Sequence, residues 1–134
     1  MDYETDISRA PGMRVLVAFE DVRRLYRDVF VRAIRELRPA HTVRSASLAG
    51  IERALGHFDP HVVVCSQPND THPPGSSAWV HIPTDDGLEE GERLAEICLE
   101  GERWRTEGPP LWELLAVIDE TYERLRKGSL SESC

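Results

Sequence analysis

The stretch RVLVAFED, residues 14–21, holds five consecutive apolar residues followed by two acids. An apolar run without polar alternation is typical of a strand covered on both faces, as in the centre of a parallel sheet. Beyond it, apolar residues recur at steps of three and four from Val22 to Leu37, which predicts an amphipathic helix. Asp21 is expected to cap that helix, which ends before Pro39. A strand followed at once by such a helix predicts an α/β fold.

Strands and helices continue to alternate along the chain. Residues 67–78 contain three prolines and one glycine, which excludes a normal helix there. The alternation predicts a parallel sheet with helices on both faces and right-handed crossovers. The further predicted strands are 41–46, 62–65, 79–82 and 103–105, and the further predicted helices are 47–58 with a Ser47 cap, 88–101 and 111–125.

Length and composition indicate one folded domain. The chain has 134 residues, 40% hydrophobic and 30% charged, which is ordinary for a globular protein and argues against disorder. Residues 1–12 lack periodicity and are expected to form a tail. The domain is predicted at 13–127, and 128–134 are expected to form a second tail.

Net charge and cysteine content limit the classes of partner and compartment. The formal net charge of −8 argues against sequence-independent binding to nucleic acid or to an anionic membrane. The first residues, MDYETDISRAPG, are acidic and polar, unlike the charged-then-apolar pattern of a signal peptide, and no window approaches 18 apolar residues, so we expect a cytoplasmic protein. Three widely spaced cysteines without a CxxC motif are expected to be free thiols.

Charge is uneven along the chain. Residues 14–53 carry nine arginines and five acids, whereas residues 85–107 carry nine acids and three arginines. Two interpretations stay open. In one, the charged residues simply form solvated helix faces. In the other, the two oppositely charged patches contact a partner or, head to tail, a second copy of the chain.

Three segments carry a resemblance to a known family. MRVLVAFED (13–21) resembles the first strand and acidic turn of a two-component response-regulator receiver domain. HTVRSASLAGIERALGHFDPHVVVCS (41–66) resembles its second strand, second helix and phosphoacceptor strand, and LWELLAVIDETYERL (111–125) its last helix. The resemblance implies a flavodoxin-like three-layer α/β/α fold with a central parallel sheet of about five strands in the order 2-1-3-4-5, a Pro-rich loop replacing the third helix.

The family's functional residues are mostly replaced in this chain. Receivers place two metal-binding acids after strand one, where this sequence has Phe19 and Glu20. Ser66 stands at the position of the phosphoacceptor aspartate. The switch hydroxyl of the fourth strand falls on Pro83, or on Thr84 if the match slips by one residue.

The resemblance therefore implies a degenerate site. The family's lysine before the last helix falls near Glu107 or Gly108. Aspartyl phosphorylation needs a carboxylate nucleophile, Mg²⁺ held by carboxylates and a stabilising lysine. Ser66 supplies no carboxylate, Phe19 removes an oxygen ligand, and an acid at Glu107 would repel a phosphoryl group. We expect a pseudo-receiver that is not phosphorylated on aspartate and is not an enzyme.

Two alternatives use the predicted strand-end residues. Ser66 at a strand end could serve a small flavodoxin-like enzyme or ligand-binding domain, although no G-x-S-x-G elbow surrounds it. We expect no cofactor, but four acids should gather near the strand ends and could hold Mg²⁺ or Ca²⁺ weakly, unless they are solvated acids and helix caps. These acids are Glu20, Asp21, Asp85 and Asp86.

Two tryptophans suggest the surface used for association. Trp104 and Trp112 flank the last strand and the last helix, where receivers pair, and aromatic residues are enriched at interfaces. Core burial explains them equally well. The sequence thus predicts a stand-alone signalling module that acts through protein contacts, with a homodimer and an unknown protein as the expected partners.

Overall fold

Six strands and three helices follow one another in the computed structural model, which describes residues 12–68, 76–83, 95–106, 110–130 and 133–134. Each predicted strand lies within about one residue of an observed one, a usual scatter at element ends. The strands are β1 (Arg14–Phe19), β2 (Thr42–Ser47), β3 (Val62–Cys65), β4 (Ala78–His81), β5 (Glu96–Leu99) and β6 (Glu102–Arg105). The helices are α1 (Arg24–Leu37), α2 (Ile51–Phe58) and α3 (Pro110–Arg126).

The strands form one mixed sheet in the order β2-β1-β3-β4-β5-β6. Strands β1 to β4 pair in parallel, whereas β5 is antiparallel to both β4 and β6. The predicted α/β class is confirmed. The prediction of a wholly parallel sheet is wrong at one end, because β5 runs antiparallel to both of its neighbours in a sheet of six strands.

A tight turn explains the antiparallel end of the sheet. Glu100 and Gly101 connect β5 to β6 with φ angles of 50° and 90°. Positive φ at both positions of a two-residue turn is the type I′ hairpin geometry, which matches the twist of paired strands. Glycine adopts such angles without a steric penalty.

The helix predicted at 88–101 is wrong over its last part, because β5 occupies Glu96–Leu99. Ile97 and Leu99 face one side of the sheet and Cys98 the other, which is the period of a strand. Residues 84–94 lie outside the described residues, as do 69–75 of the predicted Pro-rich loop.

The helices cover both faces of the sheet. Ile34 of α1 and Ile118 of α3 belong to an apolar cluster on one face, and Ile51 and Phe58 of α2 belong to a cluster on the other. Alternate residues of β1 and β3 contribute to each cluster. In the part of the chain that the structure describes, no helix is long and apolar enough to span a membrane.

The expected helix caps are wrong at both positions. Asp21 opens a short 3₁₀ turn, Asp21–Arg23, instead of capping α1. Ser47 precedes a similar turn, Leu48–Gly50, and makes no capping hydrogen bond. Each 3₁₀ turn forms its own backbone hydrogen bonds, so the N-cap of the α-helix that follows lies beyond the expected residue.

Only part of the predicted apolar stripe of α1 is buried. Phe30, Val31 and Ile34 face the sheet, because the helix contacts β1 and β2 along one side only. The rest of the apolar sector points to solvent. Together with Val22 of the preceding 3₁₀ turn, we call it the α1 apolar face, and its residues with their exposed fractions are Val22 (86%), Leu25 (75%), Tyr26 (52%) and Val29 (63%).

The expectation of three free thiols is also wrong. Cys98 on β5 and Cys134 form a disulfide, and the Cys134 amide donates a hydrogen bond to the Ser76 carbonyl at 2.8 Å. The pairing arises because the last residue packs against the sheet face that carries Cys98. Cys65 is free and buried. The expected free thiols were one argument for a cytoplasmic location. Without that argument, the location stays a prediction.

Two histidines hold the start of β1. The Met13 amide donates to His41 Nδ1, and the Arg14 amide donates to His61 Nδ1, each at 3.0 Å. A ring nitrogen that accepts a hydrogen bond must be unprotonated. Burial lowers the pKa of both histidines, in agreement with that requirement.

The fold should therefore lose stability in mild acid. A histidine with a folded-state pKa below its usual value of about 6.5 stabilises the fold above that pH and loses this contribution as pH falls. We expect the free energy of unfolding in urea to be lower at about pH 5.5 than at about pH 7.5, with a smaller difference in His61→Asn, whose amide oxygen accepts without titrating. His57→Gln, at an exposed position of α2, is the control. An unchanged pH dependence in His61→Asn would contradict the assignment.

Candidate functional site

The carboxyl ends of β1 and β3 form the first candidate site. These strands are neighbours, yet their connections leave in opposite directions along the sheet, towards β2 and β4. Ligands of open α/β sheets bind at such a switch point. Glu20 follows β1 and Ser66 follows β3, and the Ser66 amide donates to the Ala18 carbonyl at 3.3 Å. The structure thus brings two sequence-predicted site residues to one edge.

Three polar atoms near this edge are buried without a hydrogen-bond partner among the described residues. They are Glu20 Oε1, Ser66 Oγ and Arg27 Nε. Arg27 comes from α1, and its Nη1 lies 3.8 Å from Asp21 Oδ1. A buried polar atom left unpaired costs about 1–3 kcal/mol, so these groups are suited to hold water or a small polar ligand.

Phe19 takes no part in polar chemistry. Its ring is fully buried and stacks on Phe30 at 5.8 Å and on Tyr26 at 6.4 Å between ring centroids. The position that would carry an acid in a receiver is therefore part of the core beneath α1. Only Glu20 remains there as an oxygen ligand.

The thiol beside Ser66 is not poised as a nucleophile. Burial raises the pKa of Cys65 to about 11, and the nearby Glu20 carboxylate acts in the same direction. The Gln67 amide donates to Cys65 Sγ at 3.3 Å. Because thiolate is the reactive form, Cys65 is chemically quiet at neutral pH.

The structure describes two of the four acids of the predicted metal site, and the site stays a prediction. Glu20 and Asp21 lie next to each other, but Asp21 is exposed and faces Arg27. Asp85 and Asp86, like Thr84 and Glu107, lie outside the described residues. Within the ranges given above, no three His, Cys, Asp or Glu side chains are grouped to hold a metal ion. Pro83 lies two residues beyond β4 and is half-buried.

A groove that no sequence pattern indicated lies on β4, β5 and β6. It has a volume of about 260 Å³ and is lined by His81, Glu96 and Arg105 among others. Glu96 contacts His81 Nδ1 and Arg105 Nε, each at 3.2 Å, and these hydrogen bonds lower the pKa of Glu96. The prediction of a helix across Glu96 concealed this cluster. The glycine at 101, which suits a two-residue hairpin turn after this segment, was the available signal.

The two tryptophans proposed for association are exposed. Trp104 on β6 is 41% exposed and Trp112 on α3 is 61% exposed, so simple core burial does not account for them. Trp79, in contrast, is buried and donates from Nε1 to the Gln67 carbonyl at 2.8 Å. The use of Trp104 and Trp112 in a dimer stays a prediction.

Comparison with known proteins gives no relative. No protein-family model, curated protein or solved structure matches the chain. The resemblance to receiver domains thus stays a prediction.

Counting thiols tests the cysteine arrangement directly. We expect the native protein to react negligibly with Ellman's reagent, because its one free thiol, Cys65, is buried. Denaturation without reductant should release one thiol, and reduction should release all three cysteines of the chain. Cys134→Ser is the control, with two thiols after denaturation alone. Three thiols in the denatured, unreduced wild-type protein would contradict the disulfide.

Proposed function

We propose that the protein is a non-enzymatic interaction module that binds a protein partner through the α1 apolar face. The carrying observation is that three large apolar side chains on one side of α1, and Val22 in the 3₁₀ turn before it, are more than half exposed. Single exposed apolar residues are normal, whereas contiguous apolar patches on soluble proteins usually mark interaction sites.

The charges beside the face indicate the chemistry of the partner. Arg24 is exposed at the start of α1 and has no ion pair among the described residues. Arg32, two turns further on, pairs with Glu36 at 3.4 Å, and the exposed Asp28 lies between the two arginines. A partner that brings apolar side chains and a carboxylate opposite Arg24 complements this surface. The overall charge of −8 disfavours a polyanion such as nucleic acid in that role.

The α1 apolar face is held in place by the packing of α1 against the sheet and by its contact with α3. Ile34 of α1 is fully buried, and Phe30 stacks on Phe19 of β1. Arg38, directly after α1, makes a bidentate ion pair with Asp119 of α3 at 2.6 and 2.8 Å. A preformed helix face loses little conformational entropy on binding, which favours recognition of a helical partner.

The strand-end chemistry supports a module without aspartyl phosphorylation. Ser66 offers a hydroxyl where a receiver offers a carboxylate, and Phe19 is packed in the core. The parallel β1 to β4 portion agrees with a flavodoxin-like origin, so a degenerate receiver is our interpretation of the fold. A degenerate receiver of this kind acts by contacting a protein partner.

A second candidate function is the binding of a small polar ligand at the carboxyl ends of β1 and β3. The unpaired Glu20, Ser66 and Arg27 atoms favour it. The carboxylate and the guanidinium together suit a ligand that has both a donor and an anionic acceptor.

An amide chemical-shift titration separates these functions. We expect a synthetic amphipathic helix with a leucine stripe bordered by glutamates to shift the amides of residues 22–32 in the ¹⁵N-labelled protein. The same helix with lysines in place of glutamates should bind more weakly, because it repels Arg24. Val29→Asp should reduce the shifts about tenfold or more at equal peptide concentration.

Two results would contradict the proposal. One is equal binding of the glutamate and lysine helices, or no shifts in α1 with either. The other is a stoichiometric acyl phosphate, found by mass measurement after incubation with acetyl phosphate and Mg²⁺. Shifts confined to Glu20 and Ser66 with acetyl phosphate, without covalent change, would favour the second candidate function.

A further inference from the structure

The groove on β4, β5 and β6 lies on the sheet face opposite α1. Trp79 of β4 and Cys98 of β5 belong to the apolar cluster on the α2 side, whereas Ile34 of α1 belongs to the cluster on the other side. Among the described residues, α2 contacts mainly β1 and β2. Side chains of the last three strands therefore line an open groove of about 260 Å³ beyond that helix.

Glu96 orients the polar side chains of this groove. Its Oε1 lies 3.2 Å from His81 Nδ1, and its Oε2 accepts a hydrogen bond from Arg105 Nε at 3.2 Å. An ionised carboxylate only accepts hydrogen bonds, so the Nδ1 atom of His81 carries the proton. Each carboxylate oxygen thus has a partner within the protein. The two terminal amino groups of Arg105 have none among the described residues, and they remain available to a ligand.

A second arginine lies beside Arg105 on β6. Arg103 is opposite Cys98 and Arg105 is opposite Glu96 in the register of β5 and β6, so both arginines are on the α2 side of the sheet. Two residues of a strand span about 7 Å. Arg103 is exposed and has no ion pair among the described residues. Glu96 therefore compensates only one of the two arginines that line the groove, and one positive charge remains.

We infer that this groove binds a small phosphate monoester, whose phosphoryl oxygens accept hydrogen bonds from Arg103 and Arg105. Each guanidinium group presents a planar fork of N–H donors, and the three free oxygens of a phosphoryl group can accept from both forks. A carboxylate has two oxygens and fits one fork, so it should bind more weakly. The inference goes beyond the proposed function, because the groove and the α1 apolar face lie on opposite sides of the sheet.

The volume of the groove limits the size of the ligand. At about 260 Å³ it is smaller than the roughly 300–1,000 Å³ that is typical of pockets for drug-sized ligands. Pro68 and the buried Trp79 contribute apolar wall to it. A phosphoryl group on a short carbon chain suits this space. The overall charge of −8 disfavours the phosphates of a nucleic acid as the ligand.

A titration of the ¹⁵N-labelled protein with glycerol 3-phosphate, at constant ionic strength, tests the inference. We expect saturable shifts of the amides at 96–98 and 103–105. Arg103→Gln should weaken binding by about tenfold or more, because it removes a charge-assisted pair of donors. Arg103→Lys should weaken binding less, since it keeps the charge and loses only the planar fork. Arg53→Gln, an equal charge change on exposed α2, is the control.

Glycerate, a carboxylate with a similar carbon chain, separates recognition of phosphate from recognition of any anion. It should shift the same amides with lower affinity. The inference is overturned by equal binding of glycerate, by the absence of saturable shifts with glycerol 3-phosphate, or by unchanged binding in Arg103→Gln. Phosphate-induced shifts confined to Glu20, Arg27 and Ser66 would also overturn it, because they would place the ligand at the carboxyl ends of β1 and β3.

Discussion

Burial of β1 on both faces is the constraint on which the rest of the structure depends. β1 lies between β2 and β3, and its residues from Val15 to Phe19 are almost completely buried. A strand of this kind needs apolar cover above and below. α1 and α3 supply one layer and α2 the other, with the Cys98–Cys134 disulfide packed beside the second cluster.

The same constraint leaves an apolar surface unsatisfied. α1 covers β1 with Phe30, Val31 and Ile34, but its apolar sector is wider than its contact with the sheet. The uncovered side is rigid, because its helix is held by burial and by the Arg38–Asp119 pair. At the strand ends, the described residues Glu20, Ser66 and Arg27 carry buried polar atoms without a hydrogen-bond partner.

Much of the fold could be predicted because its central elements have unambiguous periodicity. The continuous apolar runs of β1 and β3 and the helical spacing of α1 and α3 each allow one interpretation. β5 does not, because a four-residue segment such as Glu96–Leu99 fits a strand or a helix turn, and its identity depends on the Glu100–Gly101 turn that follows.

Other features depend on tertiary contacts that no local pattern encodes. The disulfide requires the chain end to return to β5, and the contact of His81 with Glu96 requires antiparallel register between β4 and β5. The exposure of Leu25 depends on which side of α1 packs against β1 and β2. At the candidate site, the placement of Glu20 and Ser66 at one edge followed from parallel topology, while the lack of a hydrogen-bond partner for their buried oxygens did not.

The most direct test of the central claim compares two substitutions on α1. In dilute protein, where single copies dominate, Leu25→Asp should change the free energy of unfolding by less than about 1 kcal/mol, because Leu25 is exposed in the first turn, where an acid suits the helix dipole. Ile34→Ala should lower it by about 2–5 kcal/mol, because Ile34 is fully buried. A loss for Leu25→Asp as large as that for Ile34→Ala would show that the face is core, and the account of α1 as a docking helix would be wrong.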